Sequence, residues 1–249
     1  KMDNNGQNKR SNMTMLAVIL AAGFIIGSLI ISSTWKYVSR SNITVNVTGS
    51  ASENIVSDLA IWNGSYSAEA TTLKDAYSRL KENSSKVISY LESKGFPADK
   101  IVMSSINTST IYVNDNQGMQ TNQISGYRLY QEVSIESDDV YKIDKLSREV
   151  TELINDGVEI NSQTPQFLYT KLGDLKVKMI GQAATDAKER AKQIAESTGD
   201  DIGEIRSSRM GVMQITAKNS TEVSDYGMNN TTSLEKTVTS VVNVSFAIE

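Results

Sequence analysis

Between Arg10 and Lys36 the chain runs for 25 residues without a charged side chain, and most of that run, residues 13–31, is apolar. A helix rises about 1.5 Å per residue, so this run reaches roughly 37 Å, enough to cross a hydrocarbon core of about 30 Å. The rest of the chain is therefore expected to be a domain tethered to a bilayer. A cleavable secretory signal has an apolar core of only about 7 to 15 residues, followed by small residues at the cut. This run is longer and ends in Trp35, which favours an uncleaved signal anchor.

The expected organisation is a cytoplasmic tail (1–12), a transmembrane signal anchor (13–35), a stalk (36–42) and an exported domain (43–249). Lys1, Lys9 and Arg10 precede the span and Lys36 and Arg40 follow it, a small basic bias toward a cytoplasmic N-terminus. Trp35 and Tyr37 suit an interfacial belt, with Lys36 and Arg40 reaching the headgroups. The expected location is thus the cell membrane, single-pass, with the C-terminal domain on the periplasmic or extracytoplasmic side. A thioether lipid anchor is excluded because the chain has no cysteine. Gly23 and Gly27 form a G-x-x-x-G pair that lets two anchor helices approach, so both are candidate transmembrane packing residues.

Of the 25 basic and 29 acidic residues, the N-terminal tail takes Lys1, Lys9, Arg10 and Asp3. The exported part is therefore more acidic than the net −4 of the whole chain. That balance gives no nucleic-acid footprint.

Periodicity divides the exported part into strands and helices. Residues 43–47 alternate strictly and end at Gly49, as a half-buried strand does, and residues 58–67 read as its successor. Leu73, Ala76, Tyr77, Leu80, Val87, Ile88 and Leu91 then fall on one helical face that stops before Gly95 and Pro97. Residues 101–113 and 126–136 are expected strands around the polar turn Asn114 to Gly118, with Tyr127, Leu129, Val133 and Ile135 on one face. Asp138 is placed to cap a second helix bearing Ile143, Leu146, Val150, Leu153 and Ile154 before Gly157. A strand over 158–169 follows. A third helix over 172–197 carries Leu175, Met179, Ala183, Ala187, Ala191 and Ile194, a stripe whose small residues permit close packing. Strands over 202–216 and 238–248 flank a polar insert, 217–235. The order β-β-α-β-β-α-β-α-β-β gives an α+β fold: a transmembrane helix, then antiparallel or mixed sheets with three long helices.

The chain contains no histidine and no cysteine, which removes Ser-His-Asp and Cys-His nucleophile pairs and metal sites built on imidazole or sulfur. Neither a G-x-x-x-x-G-K-[ST] loop nor a G-x-G-x-x-G fingerprint occurs. Ser233 and Lys236 fit S-x-x-K, but no other element of that enzyme class accompanies them. Asn114, Asn116 and Gly118 resemble the start of a calcium loop that lacks its closing glutamate, so a hairpin turn is expected. Asp138-Asp139 reads as helix capping. Asn46 and Asn63 head N-x-[ST] sequons of the kind that arise freely in a chain rich in Asn, Ser and Thr. No catalytic, cofactor-binding or metal-binding residue is assigned, and no cofactor is expected.

Several ordered features together resemble the SIMPL domain family, a broad bacterial group. They are Gly49-Ser50-Ala51-Ser52, Asp58-Leu59-Ala60, Leu91 with Lys94-Gly95, Ile101 with Ser104-Ser105-Ile106, Ser125-Gly126-Tyr127, Gly157, and the series Ala183, Ala184, Ala187, Ala191, Ala195 and Gly199. The resemblance covers residues 43–249. One departure is Ser57, where the family often has proline. The resemblance implies an exported, envelope-associated α+β protein that tends to self-associate, in some members into hollow ring- or channel-like assemblies. It supplies no catalytic residue.

Two functions are therefore expected as alternatives. One is a non-enzymatic membrane-anchored envelope protein assembling into a ring-like or channel-like homo-oligomer, as a scaffold or stress-related compartment. The other is an envelope binding module for a peptide, glycan or protein partner. The bilayer, through residues 13–35, is the first expected partner.

Overall fold

The computed structural model describes residues 4–40 and 43–248, with side chains from Ala17 to Trp35 and over 43–248, together with Met13 and Met15. The expected roles of Lys1, Lys9, Arg10, Lys36, Tyr37 and Arg40 lie outside the described side chains. The fold is α+β. In chain order its elements are α1 (Asn4–Arg40), β1 (Thr44–Val56), β2 (Leu59–Ala70), α2 (Leu73–Ser93), β3 (Ile101–Met103), β4 (Asn107–Asn114) and β5 (Gln120–Ser137). There follow α3 (Val140–Glu149), β6 (Glu159–Ser162), β7 (Gln166–Leu168), α4 (Leu172–Thr198), β8 (Ile202–Met210), β9 (Gln214–Ala217), β10 (Met228–Asn229) and β11 (Glu235–Ile248).

Helix α1 contains a 19-residue stretch, Ala17–Trp35, long and apolar enough to cross a membrane. None of it is buried. Three of its four hydroxyls bond within the helix: Ser28 donates to the Ile25 carbonyl at 2.9 Å, and Ser33 and Thr34 both donate to that of Ile30 at 2.8 Å. Internal satisfaction of this kind is what a lipid environment requires of polar groups. The helix runs on to Arg40, so residues 36–40 of the expected stalk are helical.

The chain divides into two compact units, and β1, α4 and β11 contribute segments to each. Unit 2 comprises Ser52–Lys178 and Val212–Thr239. At its centre β2 pairs antiparallel with β5 from Ala60↔Ser137 to Ala70↔Tyr127. Strands β3 and β4 flank β5, and β6 and β7 flank β2. The core forms because alternate residues point one way: Ala60, Trp62, Tyr66 and Ala68 of β2 and Leu129, Val133 and Ile135 of β5 are buried against Ala76, Leu80, Val87 and Leu91 of α2 and Ile143 and Leu146 of α3. Trp62 folds over Gly64, where a Cβ would lie 2.6 Å from the indole ring. Its ring N–H donates to Ser162 Oγ at 3.0 Å, which in turn donates to the Ser147 carbonyl at 2.8 Å.

The expected helix faces hold in their middles and fail at their ends, since Leu73, Tyr77 and Ile154 are exposed. The second helix is shorter than expected: α3 has ten residues, and the chain tightens into a 3₁₀ stretch, Val150–Asp156, before Gly157 turns at φ +78°. Asp139, the neighbour of the expected Asp138, caps it, accepting from the Lys142 N–H at 3.0 Å. Three expected strands are each split. Pro165, which lacks an N–H, separates β6 from β7. Ser104–Ile106 interrupts 101–113, where the Ser104 carbonyl accepts from the Gln131 amide at 2.7 Å. Gly211 separates β8 from β9, donating to the Val241 carbonyl at 2.8 Å. The polar insert contributes β10, which pairs parallel with β9 and makes that sheet mixed.

Unit 1 comprises Lys1–Ala51, Met179–Gly211 and Ser240–Glu249. In it β11 lies next to β1 and pairs antiparallel with β8, in a register that includes Val242↔Met210 and Val244↔Ser208. Val47, Val242, Val244 and Phe246 pack against Ala183, Ala187 and Ala191 of α4. The stripe ends at buried Ala195, while the expected Ile194 is largely exposed. Gly49 does not end its strand. A Cβ there would lie 2.1 Å from the Ala183 carbonyl oxygen and 2.4 Å from the Ala187 nitrogen, so β1 and α4 meet backbone to backbone. Next to it, the Ser50 N–H donates to Asp186 Oδ2 at 2.8 Å. That hydrogen bond, followed by the one from Arg190, holds the Asp186 carboxyl below its ordinary 3.8. Because the folded-state value is depressed, the contribution is present above pH 3.8 and is lost as pH falls through the lowered value. Asp186→Asn is expected to flatten the acid limb of a plot of Tm against pH.

Candidate functional site

In β11 the buried side chains alternate through Val238, Ser240, Val242 and Val244, before residues 245–247 are buried in succession. Extending that parity two residues back from Val238 reaches Lys236, which is only 2 % exposed. Lysine is almost never buried without a partner. Here Nζ donates to the backbone carbonyl of Phe167, and among the described residues no carboxylate lies within 4.0 Å of it. Burial pushes the Lys236 ammonium below its ordinary 10.5.

Lys236 lines a cavity of about 240 Å³ within unit 2. Leu59, Phe167, Leu168, Leu172 and Ile215 form its apolar wall, and Tyr169, Thr170 and Asn229 are the other lining residues, each with a polar group. The wall is fixed by Asp58. Its N–H donates to the Leu168 carbonyl at 3.0 Å, and its carboxylate accepts from the Thr170 N–H at 2.7 Å and from the Thr170 hydroxyl at 2.9 Å. One acidic side chain at the start of β2 thus sets the β7–α4 connection. Helix α4 begins at Leu172, beside the cavity.

Ser57 precedes Asp58. Its N–H donates to the Leu234 carbonyl at 3.0 Å, a bond that proline at this position could not make. Its hydroxyl is buried with no partner among the described residues. A buried hydroxyl left unsatisfied costs about 1–3 kcal/mol.

The S-x-x-K pair is not joined. The Ser233 N–H donates to Asn230 Oδ1 at 2.8 Å, and the Lys236 amine turns away to Phe167. Asp115 closes the hairpin turn, its carboxylate accepting from the N–H groups of Gln117 and Met119, both at 2.9 Å. Among the described residues no three His, Cys, Asp or Glu side chains gather as metal ligands do. Gly23 and Gly27 have open space within 4 Å of an added Cβ among the described residues, none of which requires glycine there. Asn46 is exposed and Asn63 half-buried. A separate surface cluster joins Lys94 to Glu149 at 2.9 Å and Glu152 at 3.4 Å, which raises the lysine above its ordinary 10.5. It ties the end of α2 to the last residue of α3 and the 3₁₀ stretch after it.

Sequence reasoning left Lys236 between the polar insert, 217–235, and the strand over 238–248. The signal that identifies it is the inward parity of β11, carried two residues further. Its burial has a measurable consequence. The depressed folded-state value means the fold holds fewer protons than the unfolded chain between that value and 10.5, so stability rises with pH across the window. Lys236→Met is expected to abolish that rise and to match or exceed wild-type stability at neutral pH, measured by denaturant unfolding.

The residues that carry the family resemblance occupy structural positions: Gly49 and the alanine series form the β1–α4 contact, and Asp58 fixes the cavity wall. A search of curated proteins gives no match. The sequence profile of SIMPL, described as a protein of unknown function (DUF541), matches residues 45–246. The chain belongs to the SIMPL family.

Proposed function

We propose that the protein is a non-enzymatic, membrane-anchored envelope protein whose extracytoplasmic domain self-associates head to tail into a ring-like homo-oligomer. The observation that carries this reading is the exposed edge of unit 1. Among the described residues strand β8 pairs with β11 alone and is exposed from Glu204 through Met210, while β1, also beside β11, ends the strand order. A strand edge offers unpaired N–H and C=O groups to another chain. Pairing β8 of one copy with β1 of the next is a heterologous contact, which closes into a ring when the rotation permits. Confinement by α1 keeps every copy near one plane and raises the effective concentration of partners.

Deleting residues 1–35 is expected to weaken assembly without abolishing it, as read by sedimentation over a concentration series. A truncated chain that stays monomeric, together with a full-length complex broken by Gly23→Leu/Gly27→Leu, would place the interface in the membrane. The anchor reading has its own check: N-terminal sequencing of membrane-derived protein is expected to find the span retained, and a mature start near Thr34 or Trp35 would contradict it. A second reading, an envelope binding module, is supported by the cavity beside Lys236.

A further inference from the structure

We propose that the cavity beside Lys236 is a binding site for a small aliphatic carboxylate. The inference concerns unit 2 alone and does not depend on assembly.

An ammonium removed from water is tolerated when it is paired, and among the described residues Lys236 has only a backbone carbonyl. A carbonyl satisfies one of its three donors and supplies no opposite charge. The cavity that Lys236 lines is otherwise mostly apolar, with Leu59, Phe167, Leu172 and Ile215 around it. One buried cation in an apolar chamber selects a ligand with one anionic head and a hydrocarbon body. The Asp58 carboxylate accepts from the Thr170 N–H and hydroxyl and makes no ion pair with Lys236. The opening of α4 at Leu172 adds a positive helix end to the same wall. Asp174 in that first turn is exposed to solvent.

Size restricts the ligand further. At about 240 Å³ the chamber is smaller than the roughly 300–1,000 Å³ of drug-sized pockets. It exceeds the roughly 150 Å³ that holds a benzene. A ligand of about eight heavy atoms fits that interval. Hexanoate has that size, one charge and no second polar group. Its carboxylate would take the free Lys236 donors and leave the tail against Ile215 and Leu59. Depression of the lysine's proton affinity by burial makes the unliganded site tolerable, and an arriving anion favours the ammonium.

The test uses the full chain in lipid nanodiscs, with the Ile215 methyl followed by NMR during titration. Three probes are compared: hexanoate, hexanol with the same tail and no charge, and acetate with the same head and no tail. Hexanoate is expected to shift Ile215 saturably and to bind at least about tenfold more tightly than either control. Lys236→Met is expected to erase the preference for hexanoate over hexanol. Leu172→Trp, which fills the chamber and keeps the lysine, is expected to abolish the saturable shift independently of the Lys236 variant. Absence of a saturable shift with hexanoate, equal affinity for hexanoate and hexanol, or unchanged hexanoate binding in Leu172→Trp would each overturn the proposal.

Discussion

Replacing Gly49 with valine is expected to unfold unit 1, lowering stability by about 3 kcal/mol or more. A Cβ at this position meets the Ala183 carbonyl oxygen at 2.1 Å, the Ala187 nitrogen at 2.4 Å and the Ala187 Cβ at 2.7 Å. Two of those atoms are helix backbone, which cannot rotate out of the way. The helix would have to lift from β1, uncovering Val47, Val242, Val244 and Phe246 together. Hydrogen exchange of the backbone amides in α4 and β8 checks the outcome. Gly49→Val is expected to accelerate exchange there far more than Gly23→Val, since among the described residues Gly23 has no neighbour within 4 Å of an added Cβ. Equal protection in the two variants would show that β1 and α4 are not in backbone contact.

The second large effect concerns self-association. Ile205 is 62 % and Met210 59 % exposed on β8, so replacing both with lysine removes no buried contact from unit 1. Charged side chains, lysine above all, are the usual means by which edge strands avoid pairing with another chain. Ile205→Lys/Met210→Lys is therefore expected to dissociate the oligomer at concentrations where the wild type is fully assembled, with the thermal transition of the domain nearly unchanged. Sedimentation velocity reads the first and circular dichroism the second. A variant that assembles like the wild type would remove β8 from the interface.

Legibility of the fold followed the range of the forces involved. The alanine stripe of α4 and the inward face of β5 were readable because each is a local period imposed by one buried surface. Strand breaks were less readable. Pro165 carried its own warning, but the interruption at Ser104–Ile106 depends on Gln131 in another strand, which no local pattern contains. Gly49 looked like a terminator because a glycine after an alternating run usually is one. Its actual role depends on α4, more than a hundred residues away in sequence. Membership of the SIMPL family was legible from the order of soft motifs, and the match over 45–246 shows it. The cavity was hidden. Lys236 is polar by composition and buried by register, and only the positions of Phe167, Asp58 and α4 turn that register into a chamber. Ser57 was visible as a departure from the family, while its unpartnered hydroxyl required the structure.

Native mass spectrometry of the full-length protein released from detergent tests self-association most directly. These 249 residues have a mass of 27.3 kDa. A single dominant species at an integer multiple of that mass, persisting on dilution and lost in Ile205→Lys/Met210→Lys, is the expected result. A spectrum containing only the 27.3 kDa protomer at every concentration would contradict it.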